Sequence, residues 1–405
     1  MKQFEVPAFY RSPIISKVKA KRKLEDPRKK DFSPSELTLG NITFIIARHF
    51  GFCYGVENAI EKSYKAIEEN PTKRIFLLSQ MIHNPAVNED LVSHGLQFLQ
   101  DTEGNQLIPF SDLSADDLVI IPAFGTTLEI EKQLNSIGVD IATYNTTCPF
   151  VEKVWNRSEK LGETDHTIVI HGKYNHEETR ATFSHSSKNA PSIVLKDLQE
   201  AKELAAYILG ERSEEEFMLY FSNKMSEGFN PVLHLKKIGV VNQTTMLATE
   251  TQEIAQFLRE VMIQKYGEDD VKSHIADTRD TLCYATNDNQ TATLALMEST
   301  ADLSIVVGGY NSSNTSHLVE LLEQKFPCYF IKDAGEIQSQ NAINSFDIHL
   351  KSIESHSNYL PQKEKVRIIV TSGASCPDAL VDGVMMKLLT FYHSEQEIRT
   401  LLSQV

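Results

Sequence analysis

The stretch His49-Phe50-Gly51-Phe52-Cys53-Tyr54-Gly55-Val56-Glu57-Asn58-Ala59-Ile60 decides how the rest of the chain is read. Before it, Ile42 to Ala47 is apolar and β-branched, the pattern of a strand. After it, Val56 to Glu69 carries apolar residues at helical spacing among good helix formers. Cys53 therefore falls on a tight strand-to-helix turn, flanked by glycines that allow close backbone approach. A thiol at a strand's carboxyl end and a helix's N-terminus is well placed to be a thiolate, and open α/β sheets put their chemistry there. A lone cysteine is more often a small buried hydrophobe, so the rest of the chain must carry the argument.

The pattern recurs. Cys148 lies in Thr146-Thr147-Cys148-Pro149-Phe150-Val151-Glu152-Lys153-Val154, after a strand-like run from Asp140 to Tyr144, with Pro149 opening a helix. Cys283 lies in Thr281-Leu282-Cys283-Tyr284-Ala285-Thr286 and precedes a helical pattern through about Met297. None of the three sits in a local Cys-x-x-Cys, which argues against a zinc ribbon or a ferredoxin-type run. Three thiolates converging from three separate units would suit a cluster with one iron left without a protein ligand.

At 405 residues the chain has room for two or three domains. Its net charge of −15 argues against nucleic acid as the main partner. Five cysteines at this size fit a reducing compartment, and no apolar run is long enough to span a membrane, so a cytoplasmic protein is expected, bacterial rather than plastid. Residues 1–42 lack periodicity and contain a basic run, Lys17 to Lys30, read as a solvated tail or docking arm. From there strands and helices alternate, which implies βαβ units with parallel sheets. We expect an α/β unit over 43–144 with strands Ile42–Ala47, Arg74–Leu78 and Asp117–Pro122 and helices Val56–Glu69, Ala86–His94 and Leu128–Ile137. A second, over 145–277, has strands Thr167–Ile170, Ser192–Leu195 and Lys237–Val241, with a polar surface insertion at about 210–231. A third, over 278–387, has strands Leu303–Val307, Cys328–Ile331 and Val366–Thr371, and 388–405 ends in an amphipathic helical tail.

Polar motifs follow several of these strands: Ile82-His83-Asn84-Pro85, His171-Gly172-Lys173-Tyr174-Asn175-His176-Glu177-Glu178-Thr179, Asn242-Gln243-Thr244-Thr245, Asn311-Ser312-Ser313-Asn314 and Ser372-Gly373-Ala374-Ser375-Cys376-Pro377. Helix N-termini rich in Ser, Asn and Gly offer N–H and hydroxyl donors suited to a diphosphate, although any one motif alone is more often simply a helix N-cap. His83 alone could simply cap a turn. The His176-x-Glu178 pair can combine a phosphate-pairing group with a proton donor.

With these motifs in this order, the chain resembles the IspH/LytB family of 4-hydroxy-3-methylbut-2-enyl diphosphate reductases from about Thr43 to Lys387, and is most similar to its long cyanobacterial and plant branch. The resemblance implies three similar α/β units with small parallel sheets in a pseudo-threefold, trefoil-like arrangement around a central [4Fe–4S] cluster. It implies Cys53, Cys148 and Cys283 as the cluster ligands, the unligated iron taking the substrate's allylic hydroxyl as an alkoxide. Glu178 is then the proton donor, with Thr244 orienting it and the substrate. His83, His176, Thr244, Ser312, Ser313, Asn314 and Ser375 then bind the substrate, with Thr286 beside the third cysteine. The implied reaction is reductive dehydroxylation of (E)-4-hydroxy-3-methylbut-2-enyl diphosphate to isopentenyl and dimethylallyl diphosphates, the last step of the methylerythritol phosphate route.

One departure is Phe124, in Pro122-Ala123-Phe124-Gly125-Thr126, where many bacterial members carry a diphosphate-binding histidine. The plant-like branch shares this Phe, so activity is expected to be kept. Electrons would come from ferredoxin or flavodoxin, since no Gly-x-Gly-x-x-Gly follows a strand to hold a dinucleotide. Of the other cysteines, Cys376 adjoins Ser375 and could sit near substrate, while Cys328 heads an apolar strand and reads as core. The alternative is a non-catalytic protein whose three cysteines hold a cluster or zinc for redox sensing, for which Glu178, Thr244 and the Ser312–Asn314 run would be superfluous.

Overall fold

The computed structural model describes residues 10, 12–276 and 281–403, so the expected boundary at 277/278 and most of residues 1–11 lie outside the described residues. The chain forms two compact units: Met1–Glu57 with His83–Glu89 and Tyr284–Val405, and Asn58–Ile82 with Asp90–Cys283.

The first unit is built on a five-stranded sheet in the order Ser35–Leu39, Ile42–Ile46, Val366–Ser372, Leu303–Val307, Cys328–Ile331. Only the first pair is antiparallel; the other neighbours run parallel. Its central strands are buried on both faces, as continuous Val/Ile runs in a parallel sheet require, and Phe44, Ile305, Leu318, Ile368 and Met385 fill one core. A separate antiparallel sheet pairs Ile337–Ser339, Ala342–Asp347 and Ser352–Ser357. These last strands are dominated by Ser, Asn, Asp and Glu and give little hydrophobic periodicity.

The second unit holds two three-stranded parallel sheets. One runs Gln97–Phe98, Ile75–Leu77, Leu118–Ile120; the other runs Ser192–Leu195, Thr167–His171, Ile238–Asn242. The class is α/β with several small parallel sheets, as expected. Strand Ile42–Ile46, expected beside residues 74–78, pairs instead with Val366–Ser372, because alternation in sequence orders elements without saying which sheet each joins.

Three local readings change. The run Asp140–Tyr144 is a turn bearing only an isolated bridge, because the Asp140 carboxylate accepts from the amides of Ala142 (3.0 Å) and Thr143 (3.1 Å). The insertion at 210–231 is no mere surface excursion: helix Glu214–Phe221, started by a Ser213/Glu216 capping box, buries Phe217 and Phe221, and Phe229 follows them into the same core. Within 1–42, Ile15–Glu25 is a helix and Ser35–Leu39 an edge strand. At the other end the tail forms helix Glu395–Leu402, capped by Ser394 and Glu397.

Phe217 is 2 % exposed and meets Tyr207, Phe221 and Phe229. Phe217→Ala should destabilise the protein by about 3–5 kcal/mol. Urea unfolding checks this, and a change under about 1 kcal/mol would return the insertion to the surface.

Candidate active site

In the second unit, strands Thr167–His171 and Ile238–Asn242 end level, with His171 opposite Asn242. The loops beyond them meet at Glu178. Its helix, Glu177–Ser187, is capped by His176, whose Nδ1 accepts from the Glu178 amide at 3.2 Å. With Nδ1 accepting, a neutral His176 carries its proton on Nε2. Phe124 and the imidazole meet in a T-shaped contact at 84°, with ring centroids 5.5 Å apart. Phe124 thus braces the histidine sideways and adds no donor.

The Glu178 side chain is 1 % exposed. Its Oε1 accepts from the Thr244 amide at 2.5 Å and its Oε2 from the Thr244 hydroxyl at 3.0 Å. Burial raises the carboxyl from the usual 4.5 to about 7, and the two Thr244 bonds, which favour the charged form, only partly oppose it. A carboxyl poised near neutrality and aligned by two donors can hold a proton and release it on demand.

Sequence reading singled out Gln243 only within its motif, yet it fixes this loop. Its Oε1 accepts from the Thr179 hydroxyl (3.0 Å) and the Lys173 amide (3.2 Å), and its Nε2 donates to the Thr245 hydroxyl at 2.7 Å. The Cys283 amide donates to the Thr244 carbonyl at 3.4 Å, tying the third cysteine to the acid's partner. Ser79 donates to Glu177, anchoring the first helical turn.

In the first unit the polar residues form a cluster of hydroxyls and carboxamides. Ser312 caps helix Ser313–Leu322 by accepting from Thr315, and Ser375 Oγ lies 3.5 Å from Ser312 Oγ and donates to the His83 carbonyl at 3.3 Å. Asn314 Oδ1 accepts from Asn289 (3.3 Å) and from the Ala374 amide (3.0 Å). Asn314 Nδ2 and Asn84 Nδ2 are buried donors with no partner among the described residues, an arrangement that is costly unless something polar answers them. Ser313, Thr286 and His83 are buried in the same unit. Gly309 lies so close to the His83 carbonyl that no Cβ could fit, which is why glycine stands there. Thr315 and Asn289 were missed because their roles depend on which helices pack together.

All three cysteines read as ligands sit at helix starts. Cys53 follows Gly51, whose φ of +79° makes the turn, and its amide donates to Ala374 at 3.2 Å. Cys148 is the N-cap of Pro149–Gly162 and makes no side-chain cap bond. Cys283 directly precedes helix Tyr284–Met297. Among the described residues no three His, Cys, Asp or Glu side chains form a group able to hold a metal ion. Cys53 lies in the first unit and Cys148 and Cys283 in the second. As donors, three half-buried thiols outside any disulfide, each at a helix N-terminus, fit a thiolate-held iron–sulfur group. The other two do not: burial pushes the Cys328 thiol up to about 12 and raises that of Cys376 as well. Cys376 is 0 % exposed, so the expectation of a substrate contact gives way to a core role.

The family described as LytB protein matches residues 44–389. The 4-hydroxy-3-methylbut-2-enyl diphosphate reductase of Picosynechococcus sp. is 40 % identical over 354 residues, covering 87 % of this chain and 85 % of the relative. That of Gloeothece citriformis is 40 % identical over 353 residues, with the same coverage. Among solved structures, the E-1-hydroxy-2-methyl-but-2-enyl-4-diphosphate reductase from Plasmodium falciparum shares the fold at a TM-score of 0.61 and 19 % identity, covering 91 % of this chain and 99 % of that one. No helix among the described residues is long and apolar enough to cross a membrane.

The Glu178 shift has a thermodynamic signature. A carboxyl whose folded value lies above its unfolded one adds stability below about pH 4.5 that is lost as pH rises through about 7. Urea unfolding from pH 4 to 8 should show the wild type losing roughly 1–3 kcal/mol more than Glu178→Gln over this window. Parallel curves would remove the raised carboxyl.

Proposed function

The chain belongs to the LytB protein family, and from that premise we propose that it is an oxidoreductase converting (E)-4-hydroxy-3-methylbut-2-enyl diphosphate to isopentenyl and dimethylallyl diphosphates. The balanced reaction takes two electrons and two protons, breaks the allylic C–O bond, forms a C–H bond and releases water. The observation that carries this reading is a buried carboxyl raised to about 7 and aligned by Thr244.

Glu178 holds the proton and delivers it as the allylic oxygen leaves or as the new C–H bond forms. Thr244 keeps both carboxylate oxygens fixed and orients substrate through its hydroxyl. His176, with Nε2–H directed away from its own helix cap, donates to the diphosphate. His83, Ser312, Ser313, Asn314 and Ser375 are the diphosphate-binding groups of the first unit; the unanswered Asn314 amide supports this. A site rich in hydroxyl and carboxamide donors holds an anion while still letting product leave. Cys53, Cys148 and Cys283 would hold a [4Fe–4S] cluster. When bound, that cluster supplies electrons one at a time and Lewis acidity toward the leaving oxygen. The electron donor is ferredoxin or flavodoxin. Of these cysteines the first unit contributes Cys53 and the second Cys148 and Cys283.

Glu178→Gln should keep iron and lower turnover by roughly 10²–10⁴-fold. Near-normal turnover would take the acid role from Glu178. Cys53→Ser or Cys148→Ser should abolish retention of about four irons and four acid-labile sulfides per chain after anaerobic purification. A serine variant that still holds four irons would break the ligand assignment.

A further inference from the structure

The chain carries a net charge of −15, yet between Lys17 and Lys30 eight Lys and Arg face only two acids, Glu25 and Asp26. Lys17, Lys21, Lys23, Arg28, Lys29 and Lys30 are exposed. Among the described residues Lys21, Lys23, Arg28, Lys29 and Lys30 make no ion pair. The acids nearby are engaged: Asp26 with Arg48, Asp31 with Arg22, Asp378 with Lys19. This basic surface is fixed in place. The Asp382 carboxylate accepts from the amides of Ile14 (2.9 Å) and Ile15 (3.1 Å), clamping the helix start onto helix Asp378–Leu389.

The same segment lies along the loop that leads into Cys53. Asp26 pairs with Arg48, the Phe32 ring tilts against His49 (5.1 Å), Lys19 donates to the Phe50 carbonyl (3.1 Å), and Tyr10 packs on Phe52 (5.6 Å). The contacts thus touch residues 48, 49, 50 and 52, and Cys53 is next.

We propose that the basic face of residues 17–30 is the docking surface for an acidic one-electron carrier protein, seated over the loop that ends at Cys53. This rests on the reductase reading, which requires two carriers, each oxidised by one electron, for every allylic C–O bond broken and water released. Charge complementarity picks the occupant: a basic patch on an acidic protein attracts a negatively charged partner to that spot and repels it elsewhere. Leu24, 85 % exposed among the lysines, supplies an apolar contact at its centre. A lipid surface fits less well, since an interfacial helix needs a continuous apolar face, and here Ile14 and Ile15 are turned into the protein.

The test uses the full chain, a strongly acidic [2Fe–2S] ferredoxin as probe, and the triple variant Lys21→Glu/Lys23→Glu/Lys30→Glu, with Lys→Gln at the same sites as a milder companion. Calorimetric titration at low and physiological ionic strength should show wild-type affinity falling with salt. Charge reversal should weaken binding roughly tenfold or more and flatten the salt dependence, with the Gln variant between. Turnover driven by a small viologen reductant should be unchanged while ferredoxin-driven turnover falls in step with binding. Equal ferredoxin affinity for all three proteins overturns the proposal, as does binding of the wild type to phosphatidylserine vesicles with ferredoxin affinity unaffected by reversal. A wild type that fails with the viologen overturns the reductase reading, while the titration still decides the docking surface.

Discussion

A carboxyl group taken almost wholly out of water and answered by one residue's amide and hydroxyl is the constraint around which the second unit is arranged. Burying Glu178 is unfavourable, and it is tolerable only because Thr244 meets both oxygens. Thr244 can do so because Gln243 pins its loop to Thr179 and Lys173, and because two parallel strands end level beneath it. His176 sets the start of the helix on which Glu178 rides. Proton handling is therefore a property of the sheet's register as much as of one side chain.

The first unit solves a different problem with different chemistry. Its cluster is built of hydroxyls and carboxamides held by one another and by glycine-permitted backbone contacts. Neutral donors in fixed positions bind by direction more than by charge. Such a site suits an anion that must come and go. The strong positive charge of this unit sits instead on the N-terminal helix and the turn after it.

Much of this was legible in the sequence, and the failures have physical reasons. The buried parallel strands Leu303–Val307, Ser192–Leu195 and Cys328–Ile331 were read to the residue because their apolar runs end in turn signals. Asp140–Tyr144 misled because its apolar residues sit in a turn imposed by the Asp140 side chain. The polar hairpin at 342–357 was invisible to hydrophobic periodicity, and the aromatic anchoring of 210–231 was masked by its charged neighbours. At the site, single residues such as Glu178 and Thr244 were named from their motifs. Their pairing, and the parts of Gln243, Asn289 and Thr315, depend on which loops the fold brings together, which no local pattern encodes.

The fold also sorts its own thiols. Desolvation of their sulfurs raises the thiols of Cys328 and Cys376, while Cys53, Cys148 and Cys283 stand at helix starts. Thiolates bind iron and attack disulfides; neutral buried thiols do neither at a useful rate. A thiol reagent reaching the folded chain therefore meets partly exposed cysteines at helix starts, while Cys376 is sealed in the core at 0 % exposure.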